Sequence, residues 1–206
     1  MGIDKKNFDK NNVEIKSQKR IFDGFFKVDE IIVDHDCFNG DRYNDIRREA
    51  IVKYDTVSIL LFDPKIDSLL FIRQLRVPLM MREDRESPWT IEIVAGTIDR
   101  KESPEAIIMA EAFEEAGVTV DKLVPIIDFY PSTGGSAGKM YLFLGICDLS
   151  NAGGYFGLPE EGEDIEAFVV SREEGYQMLA RGELDNAFTI IAMQWLQLNL
   201  EQVKNL

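Results

Sequence analysis

Apolar and polar residues alternate along residues 13–22 and again along 25–37, the period-two signature of strands with one covered face. Asn39-Gly40 follows, a pair suited to a tight hairpin turn. A third strand is expected around 45–53, so that residues 1–54 make a small antiparallel sheet of their own. Residues 56–62 and 68–74 are apolar runs joined by a DPKIDS turn, and 88–95 reads as one further strand. Strands are also expected at 124–130, 139–147 and 165–170, with a Gly-rich acidic loop over 151–164. Ser171 is placed to cap a short helix to about Arg181, and Asp185 a long C-terminal helix through MQWLQLNL. Strands before and after a central helix, with helices at the end, predict an α+β fold. Its second part, 55–206, is a mixed sheet sandwiched between helices.

The central helix belongs to the stretch from 96 to 118, GTIDRKESPEAIIMAEAFEEAGV. Ser103 followed by Pro104 is a helix start, and Gly117 a helix stop. At about 100° per residue, Glu111, Glu114 and Glu115 project from one side and Met109, Phe113 and Ala116 from the other. Like charges three and four residues apart cost a few tenths of a kcal/mol on an isolated helix. Grouping them makes chemical sense where a hard divalent cation is held, because such ions take carboxylate oxygens. A solvated acidic face is the plain alternative.

Composition narrows the rest. The 206 residues carry a net charge of −14 and are 45% hydrophobic, enough for a real core and poorly suited to a phosphate backbone. No apolar run reaches membrane-spanning length and the polar N-terminus has no signal core, so a cytoplasmic protein is expected. Cys37 and Cys147 are far apart and suggest neither disulfide nor zinc site; both read as buried small apolar residues. His35, the single histidine, lies in a strand-like run and reads as structural. YPSTGGSAGK at 130–139 lacks the glycine and the following Ser or Thr of a phosphate-binding P-loop.

The spacing across 96–118 resembles the Nudix box, G-x5-E-x7-R-E-U-x-E-E-x-G-U, with U a bulky apolar residue. Gly96, Glu102, Glu111, Glu114, Glu115, Gly117 and Val118 fall in register. Ala110 stands at the arginine position and Ala112 at the first U. The N-terminal sheet, IRRE at 46–49, IRQLRVP at 72–78 and the MQWLQL helix extend the likeness to the bacterial ADP-ribose pyrophosphatase branch.

That resemblance implies a Mg²⁺-dependent hydrolase, with Mn²⁺ as an alternative, that splits ADP-ribose into AMP and ribose 5-phosphate. It implies a homodimer that exchanges its N-terminal sheets. It also implies metal ligation by the Ala95 carbonyl, Glu111, Glu115 and Glu114, with Glu102 in a structural or outer position. A glutamate in GLPEEGEDI would activate water: Glu161 by alignment, Glu163 as second choice. Arg48 and Arg76 match phosphate-contacting arginines, and Phe25 an adenine-stacking ring supplied by the other subunit. The arginine missing at Ala110 would ordinarily hold the box glutamates, so another cation or a binding-only role is implied. Thr133 and Gly138 replace a proline and a glutamate of the branch, which leaves another nucleoside diphosphate sugar, such as GDP-mannose, as an alternative substrate.

Overall fold

The computed structural model describes residues 8–159 and 162–206. The chain folds into two compact units: Met1–Lys53 with Tyr130–Gly138, and Tyr54–Phe129 with Lys139–Leu206.

In the first unit, β1 (Val13–Asp23), β2 (Lys27–Asp36) and β3 (Arg42–Val52) form an antiparallel sheet in that order. β3 begins three residues earlier than the pattern suggested. The turn is tight, with Gly40 at φ 97° donating to the Cys37 carbonyl at 3.0 Å, so pairing resumes at once. Every residue of β1 is exposed, and Cys37 is only partly covered, unlike the buried Cys147. His35 has the structural place expected of it, with Nδ1 3.0 Å from the Asp36 carbonyl oxygen and its ring edge-on to Tyr43.

The second unit is built on a mixed sheet. β4 (Thr56–Asp63) lies at its centre, antiparallel to β5 (Ser68–Leu75) and parallel to β9 (Met140–Cys147). β8 (Val120–Phe129) extends the β9 edge, while β11 (Ile165–Ser171) and then β10 (Gly154–Phe156) extend the β5 edge. Strand alternation sends Val57, Ile59, Leu61, Leu70 and Ile72 to one face, where Ile107, Ile108, Ala112 and Ala116 of α1 (Pro104–Ala116) cover them. Leu60, Phe62, Leu69 and Phe71 point the other way, against Met178 of α2 (Arg172–Ala180) and Met193 and Leu196 of α3 (Ala187–Val203). The strands are buried on both faces, which is why they read as continuous apolar runs.

Four local expectations are corrected. The strand expected over 88–95 is two: β6 (Trp89–Glu92) pairs with β5 and β7 (Val94–Thr97) with β4. Between them the Ile93 N–H leaves the ladder for Thr189 Oγ1 at 3.2 Å. The acidic loop contains β10. The cap of α3 is Asn186, not Asp185: its Oδ1 accepts from Phe188 N at 2.9 Å, whereas Asp185 pairs with Arg85. On α1, Met109 and Phe113 are 43% and 63% exposed while Glu115 is buried. The covered face is Ile107, Ile108, Ala112 and Ala116, and Glu115 lies at its border. Among the described residues no helix is long and apolar enough to cross a membrane.

Candidate active site

Local sequence places the box helix. Ser103 Oγ accepts from the Ala106 N–H at 3.2 Å, and Gly117 takes a left-handed φ of 65° while its N–H reaches the Phe113 carbonyl at 2.9 Å. These two caps fix where α1 begins and ends.

Packing of Ile107, Ile108, Ala112 and Ala116 against the sheet sets the rotation of α1 and turns Glu115 inward. It is 5% exposed, and its Oε2 accepts from the Ala95 N–H at 3.2 Å. Burial pushes its pKa up to about 8; the carboxylates of Glu111 and Glu163 push the same way, while the Ala95 N–H and Arg76 pull against them. Glu111 lies one turn back along α1, against Gly96: a Cβ added at Gly96 would stand 2.5 Å from Glu111 Oε1. The glycine is needed for this close approach, whatever its φ. Gly96→Ala is therefore expected to displace the Glu111 carboxylate and to lower kcat/KM by about tenfold or more; steady-state kinetics beside a thermal melt would check it, and unchanged kinetics would contradict it.

A guanidinium faces the same carboxylate. Arg100 Nη2 is 3.7 Å from Glu111 Oε1, close enough for charge compensation though too long for a strong hydrogen bond. Arg76, just beyond β5, is half-buried, with Glu115 and Glu163 among the charges acting on it. It makes a fork to Glu92, with Nη2 to Oε2 at 2.6 Å.

The second unit thus brings Ala95, Gly96, Glu111, Glu115, Glu163 and Arg76 into one neighbourhood. Glu114 is exposed on α1 and Glu102 is exposed on the turn before it. Phe25 and Arg48 belong to the first unit. Phe25 is 94% exposed with its ring edge-on to Phe26, and Arg48 is exposed on β3, donating to the Arg47 carbonyl at 2.8 Å. Glu161 lies outside the described residues.

Pattern reading missed Arg100 and Glu92. Arg100 had no signal apart from its place in the turn before the helix. Glu92 had a weak one: with Thr90 it occupies the covered side of a strand, where apolar residues are the rule.

Among the described residues, no three Asp, Glu, His or Cys side chains already stand as a metal-binding group. The donor chemistry nevertheless suits a hard divalent ion: carboxylate oxygens of Glu111 and Glu115, and a backbone carbonyl at Ala95.

A sequence model of the NUDIX domain matches residues 52–192. The chain belongs to the NUDIX domain family. An ADP-ribose pyrophosphatase of Escherichia coli (strain K12) is 39% identical over 198 residues, 96% of this chain and 94% of that one. A GDP-mannose pyrophosphatase of Enterobacter sp. (strain 638) is 30% identical over 190 residues, 91% of this chain and 96% of its own. The crystal structure of an ADP compounds hydrolase aligns with a TM-score of 0.66 at 16% identity, covering 90% of this chain and 95% of that one. At that identity it speaks for the NUDIX fold alone.

Proposed function

We propose that this NUDIX protein hydrolyses the pyrophosphate bond of ADP-ribose, releasing AMP and ribose 5-phosphate, with Mg²⁺ as its ion and Mn²⁺ as an alternative. The observation that carries the reading is the buried Glu115, tied to the Ala95 N–H and crowded by Glu111 and Glu163. Isolated buried charge is costly, and such crowding is offset when a cation completes the site. The greater identity to the ADP-ribose pyrophosphatase than to the GDP-mannose enzyme favours the same substrate.

Each residue then has a role. Glu111, Glu115, Glu114 and the Ala95 carbonyl hold the ion, and Glu102 steadies the turn outside them. When bound, such an ion supplies Lewis acidity and charge neutralisation at the diphosphate. Arg76 and Arg48 bind phosphate oxygens by directed N–H donors. Phe25, contributed by a second copy, offers a face for the adenine. Glu161 accepts the proton of the attacking water, with Glu163 as the neighbouring carboxylate. Residues 1–54 form the exchanged sheet of a cytoplasmic homodimer and 55–206 the catalytic domain. The unbroken exposure of β1, with Ile15 and Phe22 among its exposed apolar residues, suits cover by a second copy. Incubation with ADP-ribose and Mg²⁺ tests the activity: AMP should appear with the native chain and nearly vanish with Glu115→Gln. Equal traces from the two would end the proposal.

Two observations favour alternatives. Thr133 and Gly138, with the 30% identity to a GDP-mannose pyrophosphatase, allow another nucleotide sugar. A substrate panel decides: ADP-ribose should lead GDP-mannose in kcat/KM by about tenfold or more. Ala110 suggests a domain that binds nucleotide without turnover. Against that, Arg100 already presents a guanidinium to Glu111. Ala110→Arg is expected to change kcat/KM by less than about threefold, and Arg100→Gln to lower it by about fivefold. A large gain from Ala110→Arg would show that position 110 leaves the site incomplete.

A further inference from the structure

The Arg76 fork has a deeper support. Glu92 is 3% exposed, and both its oxygens are engaged. Oε1 accepts from Arg76 Nε at 3.1 Å and from Thr90 Oγ1 at 2.5 Å; Oε2 accepts from Arg76 Nη2 at 2.6 Å. Thr90 and Glu92 are two apart on β6 and so share a face, and β6 is paired to β5, with Gln74 opposite Thr90 and Ile72 opposite Glu92. Arg76 follows β5 directly, and its own N–H is held by the Pro88 carbonyl at 2.9 Å. Backbone and side chain of Arg76 are therefore both fixed from β6 and the residue that precedes it.

We propose that Glu92, oriented by Thr90, is a positioning residue that aims the outer edge of the Arg76 guanidinium at a substrate phosphate. The inference rests on the reading of Arg76 as a phosphate contact. A guanidinium is planar with five donors, and a carboxylate that takes its Nε and Nη2 edge fixes the direction of the remaining Nη donors. Arg76 also lies within electrostatic range of Glu115 and Glu163, so its guanidinium stands in the neighbourhood of the box glutamates. Arg76, Thr90 and Glu92 also line a cleft of about 290 Å³, together with Arg85, Asp185 and Asn186.

A purely structural purpose explains this poorly. Matched apolar side chains would join β5 to β6 at least as stably as a buried ion pair. Moving Arg76 away would leave Glu92 buried without its counter-ion, so the arginine is confined to one orientation before substrate arrives. Confinement of that kind lowers the entropy lost on binding.

Three variants test it in the full chain with Mg²⁺ present: Arg76→Gln, Glu92→Gln and Thr90→Val. The readouts are KM and kcat for ADP-ribose, the calorimetric Kd of α,β-methylene-ADP-ribose, and the melting temperature. Glu92→Gln should raise KM and Kd together by about tenfold and leave kcat within about threefold. Thr90→Val, nearly isosteric, should raise both by about threefold and keeps the question answerable if Glu92→Gln folds poorly. If Arg76→Gln weakens binding while Glu92→Gln and Thr90→Val lower only the melting temperature, the positioning role is overturned and the phosphate reading stands. If Arg76→Gln leaves Kd unchanged, both fall.

Discussion

Glu115→Gln is expected to stabilise the metal-free protein and to remove most of its activity. Glu115 is buried and its pKa is pushed up to about 8. The unfolded chain ionises near the ordinary glutamate value, about 4.3, so it binds fewer protons than the folded chain between these two values. Folding stability therefore falls as pH rises from the unfolded pKa toward about 8. Glutamine does not titrate and retains an oxygen for the Ala95 N–H. The variant's advantage should grow across that window to about 1–3 kcal/mol, after some loss for the new amide donors. For a chain of this size that is a rise of several degrees in Tm, on the order of 2–4 °C per kcal/mol. Saturating Mg²⁺ should reverse the order, because only the native site gains strongly from the ion. Turnover should drop by about 10²–10³, the size typical of losing one group that stabilises transition-state charge. Melting curves in a chelator at pH 6 and 8, repeated with Mg²⁺, read the first effect. A variant that melts below the native chain in chelator at pH 8 would refute the account.

The second large effect concerns the acidic loop. Glu161→Gln should reduce kcat by about 10²–10⁴ with KM nearly unchanged, as expected for removal of a general base. Glu163→Gln should behave differently. The Glu163 N–H donates to the Leu158 carbonyl at 3.2 Å, and a Cβ at Gly157 would stand 2.8 Å from the Glu163 carbonyl oxygen. Its carboxylate already acts on Glu115 and Arg76. A charge held there belongs to the cation's surroundings, so Glu163→Gln should raise the Mg²⁺ concentration for half-maximal rate more than it lowers kcat. Metal titrations and pH–rate profiles of both variants separate the roles. A larger kcat loss in Glu163→Gln than in Glu161→Gln would exchange them.

Which features could be read along the chain, and which could not, follows from the reach of the interactions. The ends of α1 were readable because Ser103 and Gly117 act on their own helix within a few residues. The central strands were readable because both faces are covered, which leaves unbroken apolar runs. The acidic triplet and its register with Gly96 were equally plain, since helix geometry carries spacing into space. The sequence did not reveal the cap of α3: Asp185 and Asn186 are both able caps, and the choice turned on Arg85, distant in sequence, taking Asp185. Nor did it reveal the break at Ile93, set by Thr189 from α3.

By itself, then, the sequence determined the α+β class, the helix that carries Glu111, Glu114 and Glu115, and the likeness to the NUDIX family. Only the tertiary structure decided that Glu115 is the buried member, that Met109 and Phe113 face outward, and that Arg100 and Glu92 attend Glu111 and Arg76. The physical reason is that periodicity and capping are local, whereas desolvation and ion pairing depend on which distant strands close over a residue.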